Sequence, residues 1–149
     1  MRYKFFVTGA TGWVGKSFLH ELQKHIPREL FNDSVTCFSS KKKSFSSTNY
    51  LHPLEINSLP LEKMPELSMG EKNLKIFHAA FLTREKISHI GIESYIKLNI
   101  EITKLVRSSI ENSIESKIVA ISSGAAANYD QSNLDNISLD LDPYGILKF

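Results

Sequence analysis

Tyr144 and Lys148 stand four residues apart. On a helix, about 100° per residue places both on one face, a turn apart. A phenol titrates near 10 and is a poor base, but an ammonium beside it favours the phenolate. Such a pair can exchange a proton with a substrate hydroxyl; a surface tyrosine beside a solvated lysine has the same spacing. Ser122, Ser123 and Gly124 close an apolar run that reads as a strand over Lys117 to Ser122. A serine at the carboxyl end of a parallel strand faces the crevice where open α/β sheets bind ligands. Its hydroxyl can donate to a carbonyl, or simply build a turn.

A second chemistry is written at the other end of the chain. Thr8-Gly9-Ala10-Thr11-Gly12-Trp13-Val14-Gly15 sets three glycines at three-residue spacing. Tyr3, Phe5, Phe6 and Val7 predict a strand before it, and Val14 onward predicts a helix. Strand, glycine turn and helix N-terminus together favour an anionic ligand, because free N–H groups and the positive end of the helix dipole point at it. Phe77-His78-Ala79-Ala80 ends another strand with small residues, as close approach of a ligand to backbone requires. His78 itself reads as a satisfied, partly buried histidine. Asn99 lies inside the longest helical pattern, where asparagine has poor propensity. His20-Glu21 and His25 do not make a zinc site, since a five-residue spacing turns the histidines about 140° apart on a helix. No Cys/His cluster offers another metal site.

The elements that would position these residues alternate in type. Strands are predicted for the N-terminal run, for Ser34 to Ser39, Tyr50 to Ile56, Leu74 to Ala80 and Lys117 to Ser122. Helices are predicted from Val14 to the stop at Pro27, from about Ile87 to Asn112, and from near Pro143. Ser39 to Thr48 reads as a solvated loop, Pro53, Pro60 and Pro65 make the region up to Gly70 irregular, and Gly124 to Leu141 reads as loop. The alternation predicts an α/β fold, a doubly wound parallel sheet of five strands. With 149 residues the chain has the length of one domain. It halts just after the last helix begins, which reads as a sheet truncated before its later strands.

Bulk properties narrow the partners. A formal net charge of +2 leaves no nucleic-acid footprint, and no apolar run is long enough to span a bilayer. The N-terminus lacks the layout of a signal peptide. Cys37 is the sole cysteine and falls in a strand pattern, which suits packing and a reducing compartment. A soluble cytoplasmic protein is the expectation.

The motifs, taken in order, resemble the extended short-chain dehydrogenases/reductases, the NAD(P)-dependent epimerase/dehydratase family that acts mostly on nucleotide sugars. The resemblance rests on residues 8–15, Phe-His-Ala-Ala at 77–80, Asn99, Ser-Ser-Gly-Ala at 122–125 and Tyr-Gly-Ile-Leu-Lys at 144–148. It implies a Rossmann-type NAD(P)-binding domain over residues 1–149, incomplete at its C-terminus, with the substrate domain absent. By that resemblance Gly9, Thr11, Gly12, Trp13, Val14 and Gly15 hold the pyrophosphate turn. Ala79, Ala80 and Phe81 line the cofactor, and Glu55 and Ile56 match the acidic-aliphatic pair beside the adenine. Tyr144 is implied as general acid/base and Lys148 as its electrostatic partner, which also touches the nicotinamide ribose. Ser123 matches the catalytic Ser/Thr, and Asn99 the helix asparagine that supports the site.

Two departures bear on what such an enzyme would use. Members preferring NAD carry an acidic residue after the second strand, whereas this chain reads Ser39-Ser40-Lys41-Lys42-Lys43. A carboxylate repels a 2′-phosphate and serines and lysines bind one, so NADP is favoured over NAD. The tyrosine-glycine pair expected after the serine motif is replaced by Asn128-Tyr129-Asp130. Dehydratases add an Asp-Glu pair after the catalytic Ser/Thr, and Gly124-Ala125 stands there instead, leaving epimerase or ketosugar reductase. The alternatives are a non-catalytic dinucleotide-binding protein and an inactive truncated gene product. Family habit implies a homodimer through the helices bearing Asn99 and Tyr144.

Overall fold

The computed structural model describes residues 3–40, 43–47, 54–129, 138–139 and 141–148. Strands are β1 (Lys4–Thr8), β2 (Val35–Ser39), β3 (Lys43–Ser47), β4 (Leu54–Pro60), β5 (Leu74–His78) and β6 (Ser116–Ala120). Helices are α1 (Trp13–Gln23), α2 (Arg28–Ser34), α3 (Met64–Leu67), α4 (Ile87–Ile90), α5 (Ile92–Asn112) and α6 (Pro143–Lys148). The chain divides into two compact units, Met1–Ala80 with Leu105–Ala120, and Phe81–Lys104 with Ile121–Phe149.

The first unit holds the sheet, in the order β3-β4-β2-β1-β5-β6. Five of its strands, β4, β2, β1, β5 and β6, are parallel, and β3 pairs antiparallel to β4. The parallel part is the Rossmann-like α/β arrangement that the alternation of elements predicts. Strand β1 lies inside the sheet and is covered on both sides. Phe6 and Val7, which point to opposite faces, are each 0 % exposed. Val7, Val35, Cys37 and Ile56 share one cluster with Leu19 and Leu22 of α1 and Phe31 of α2. On the other face Phe6 meets Phe38 nearly edge-on, with ring centroids 5.0 Å apart. Fully burying each such side chain contributes about 1.5–3 kcal/mol.

Several boundaries differ from the sequence expectations, each for a local reason. The third parallel strand is displaced to Leu54–Pro60, because Ile56 and Ser58 alternate into the interior while Glu55 and Asn57 face out. Lys43–Ser47, expected as loop, adds an edge ladder on β4. Its polar, lysine-bearing composition suits an edge, where further pairing must be discouraged. The Pro27 stop is followed at once by α2, whose Phe31 docks in the core. At the opposite edge, β6 leaves Ile118 and Val119 exposed.

The second unit contains α4, the first part of α5, a 3₁₀ turn at Gly124–Asn128 and α6. The expected single helix from Ile87 is broken at Gly91, whose φ of +79° is left-handed backbone open to glycine. Gly91 donates its N–H to Ile87 O and closes α4, while its carbonyl accepts Tyr95 N–H and opens α5. No helix among the described residues is long and apolar enough to cross a membrane.

Candidate functional site

In the first unit the strand order reverses between β1 and β5, and ligands of open α/β sheets bind at the carboxyl ends of such a pair. The glycine turn leaves β1 at that point. Gly9 has φ +69°, and a Cβ there would come within 2.7 Å of the Ala79 carbonyl carbon. A Cβ on Gly15 would run into Gly9 O, and Gly12 donates its N–H to that same oxygen at 2.9 Å. Two of the three glycines are therefore required by backbone against backbone. Gly12 caps α1 with no side-chain hydrogen bond, and the first turn carries no acidic residue. Within that first turn of the 11-residue helix no carboxylate answers its positive end.

The Thr8 hydroxyl braces this turn from below. It accepts the Ala80 N–H at 3.2 Å and lies 2.7 Å from His78 Nδ1, while the Thr8 carbonyl accepts the Ala79 N–H. His78 is thus the satisfied, partly buried histidine its context suggests. Thr11 and Val14 are half-buried and Gly15 is buried, whereas Trp13 stands 84 % exposed at the start of α1.

The other expected cofactor contacts are spread out. Ser39 is buried with its hydroxyl 2.7 Å from that of Ser58, and Ser40 beside it is exposed. Lys41 lies outside the described residues. Glu55 is exposed and Ile56 is packed in the core, both in the first half of β4. Level with the end of β2 are Leu59, opposite Phe38, and Pro60, opposite Ser39. The displaced strand thus puts Glu55 and Ile56 away from the carboxyl edge where an adenine contact would be made.

In the second unit, Tyr144 and Lys148 both lie on α6, as their spacing predicts. The helix is only six residues long, too short to hold itself, so its ends must be fixed by contacts. Asp142 caps the start, accepting the Gly145 N–H at 3.1 Å, the Tyr129 hydroxyl at 2.9 Å and Arg84 at 3.3 Å. The Gly145 N–H above all, with Tyr129 and Arg84 adding, holds the Asp142 carboxyl below the ordinary aspartate range. A Cβ on Gly145 would strike Asp142 Oδ2 and the Tyr129 ring, so any larger residue must displace the side chains that form this cap. At the other end Ser122 Oγ donates to Lys148 O at 3.0 Å, and Lys148 Nζ donates to Ile121 O at 2.8 Å. Burial pulls the Lys148 ammonium below the usual lysine range.

Phe81 sits among these side chains. Its ring meets Tyr144 edge to face at 5.8 Å, and Lys148 Nζ lies 4.2 Å from its centroid. Arg84 stands over the Tyr144 ring at 5.2 Å. Beside them is a cleft of about 540 Å³ lined by Arg84, Ile87, Ile92, Leu141, Asp142, Pro143 and Tyr144. Ser123 Oγ accepts the Ala125 N–H at 3.2 Å and caps the 3₁₀ turn, which leaves its own proton to donate. Asn99 is fully buried; its Oδ1 accepts the Leu82 N–H at 2.8 Å and its Nδ2 donates to Tyr95 O at 3.1 Å.

The chain matches no family model, no curated protein and no solved structure. Tyr95, Arg84 and Asp142 carry no site role in the sequence reading, and Tyr129 enters it only as a departure from the expected tyrosine-glycine pair. Only Asp142 carried a local signal, an aspartate immediately before a helix-opening proline.

Proposed function

We propose that this chain binds a nicotinamide dinucleotide and serves an oxidoreductase-type reaction, as the extended short-chain dehydrogenases/reductases do. Within that class the reading is a nucleotide-sugar epimerase or ketosugar reductase, with NADP favoured. The observation that carries it is the glycine turn at the strand-order reversal. There Gly9 and Gly15 have no room for a Cβ, and an uncapped, carboxylate-free helix start follows. A pyrophosphate needs this combination of close backbone and positive dipole.

When bound, the dinucleotide supplies hydride transfer at its nicotinamide. This chain's own residues bind and move protons. Gly9, Gly12 and Gly15 admit the pyrophosphate, and the N–H groups at the start of α1 donate to it. Tyr144 takes a proton from, or returns it to, a substrate hydroxyl, with the Lys148 ammonium favouring the phenolate. Ser123 donates its remaining hydroxyl proton to the substrate oxygen. Asn99 acts at one remove, by holding the Leu82 peptide. The preference for NADP rests on the lack of any carboxylate from Ser39 through Lys43.

Trp13 is the chain's only tryptophan and stands exposed on the turn, so it reports binding directly. Titration with NADPH is expected to quench its emission and to sensitise nicotinamide fluorescence. Unchanged emission up to millimolar NADPH and NADH would refute dinucleotide binding. With binding established, Tyr144→Phe is expected to keep it and to abolish turnover of a nucleotide sugar; retained turnover would reject the acid/base role.

A further inference from the structure

We propose that Phe81 is the positioning residue for Tyr144 and Lys148, and that Tyr95 and Asn99 hold it there by gripping both backbone groups of Leu82. The inference rests on the reading of Tyr144 and Lys148 as the proton-transferring pair. Tyr144 and Lys148 share one aromatic neighbour, the ring of Phe81.

Asn99 Oδ1 accepts the Leu82 N–H at 2.8 Å, and the Tyr95 hydroxyl donates to Leu82 O at 2.9 Å. The two holding residues are one helical turn apart on α5, and both are 0 % exposed. Asn99 is itself steadied, its Nδ2 on Tyr95 O and its carbonyl accepting the Thr103 hydroxyl at 3.0 Å. The peptide that follows Phe81 is thereby fixed at its N–H, and the next peptide at its C=O. The Phe81 ring also packs against Tyr95 itself, at 6.3 Å and an interplanar angle of 78°.

From that anchored backbone the ring reaches α6 at both positions of interest. It touches Tyr144 edge to face, and it takes the Lys148 ammonium over its centroid. An aromatic face attracts a cation, and an edge-to-face partner restrains a ring's rotation. On a helix of six residues these contacts, together with the Lys148 Nζ bond to Ile121 O and Arg84 over the Tyr144 ring, set where the phenol and the ammonium point, and the Phe81 ring alone touches both.

The test reads the two side chains without cofactor or substrate. Lys148 is followed by NMR titration of its ammonium, with Lys148→Arg identifying the signal, and Tyr144 by its ring resonances, assigned with Tyr144→Phe. In Phe81→Leu the ammonium loses the aromatic face, so its midpoint is expected to fall by about half a pH unit, and the Tyr144 ring signals to move. Tyr95→Phe removes only the hydroxyl and decides the matter if Phe81→Leu does not fold. It is expected to shift both signals in the same sense by less, and to raise Leu82 amide exchange. Unmoved or upward-moving Lys148 titration, with unmoved Tyr144 signals, overturns the inference. NADPH binding at Trp13 is measured on the same variants. Its absence in the wild-type chain refutes the dinucleotide reading and leaves the positioning result standing.

Discussion

The hydroxyl of Thr8, at the end of β1, lies 2.7 Å from Nδ1 of His78, at the end of β5. The same hydroxyl accepts the Ala80 N–H, so a single buried oxygen ties the two strand ends at the point where the sheet order reverses. A hydroxyl has one proton and two lone pairs, so Thr8 Oγ1 can accept the Ala80 N–H and still either donate to or accept from His78 Nδ1, as the imidazole tautomer dictates. The glycine turn is thus built on a strand end already fixed to its neighbour.

Glycine is required at position 9 for two reasons and at position 91 for one. Gly9→Ala meets a left-handed φ and the Ala79 backbone together, whereas Gly91→Ala meets a left-handed φ with open space around it. Gly91→Ala is expected to cost about 1 kcal/mol in stability and to leave NADPH affinity unchanged. Gly9→Ala is expected to destabilise further and to weaken NADPH binding at least tenfold. Trp13 titrations and thermal melts of both variants check this, and equal binding by the two would remove Gly9 from the site.

The carboxyl end of β2 provides the cofactor-choice experiment. Ser40 is exposed next to the buried Ser39, and no acidic side chain follows as far as Lys43. Ser40→Asp is expected to weaken NADPH more than NADH, because the new carboxylate repels a 2′-phosphate and accepts ribose hydroxyls. Neutral residues at positions 41 to 43 are expected to narrow the gap between the two dinucleotides. Identical affinities before and after both changes would leave the NADP preference without support.

Acid should loosen the start of α6. Asp142 titrates below the ordinary aspartate range because Gly145 N–H, Tyr129 and Arg84 favour its ionised form. Its folded pKa is depressed relative to the unfolded one. Its contribution is therefore whole above about pH 4 and is lost as pH falls through the folded value. Gly145 amide exchange, relative to β1 amides, is expected to rise over that window in the wild type. Asp142→Asn keeps an acceptor for the cap and should lose the pH dependence. Asp142→Ala should cost about 1 kcal/mol locally above about pH 4, and less as the wild-type carboxyl is protonated.

Cys37 is 4 % exposed in the core cluster, and burial pushes its thiol up to about 12. It should stay unreactive toward a disulfide reagent at pH 8 in the folded chain and react fully in denaturant. As the sole cysteine it then reports global unfolding of the first unit. Fast labelling under native conditions would contradict the core described above.

What the sequence made legible were features carried by local pattern. The apolar run of Phe5, Phe6 and Val7, the Gly9–Gly15 spacing and the start of a helix near Pro143 all depend on neighbours along the chain. Gly91 was hidden because an apolar helical pattern runs through it, and only its φ reveals the break. The strand near Ile56 was placed four residues early because Tyr50 and Leu51 extend the apolar run. Its register is decided by pairing with Cys37 and Phe38, a long-range fact. Tyr95 had no local signal at all, since an amphipathic helix offers the same tyrosine for simple core packing. Its hydrogen bond to Leu82 depends on a loop 13 residues away.

The hold on Leu82 also redistributes evolutionary freedom. Both bonds go to main-chain atoms, so the side chain at position 82 is free to drift, and proline alone, lacking an N–H, is barred. The selective burden falls instead on the two helix residues that do the holding, neither of which faces solvent. In a set of related chains, a variable position 82 beside unvarying tyrosine and asparagine at positions 95 and 99 would be the mark of this arrangement.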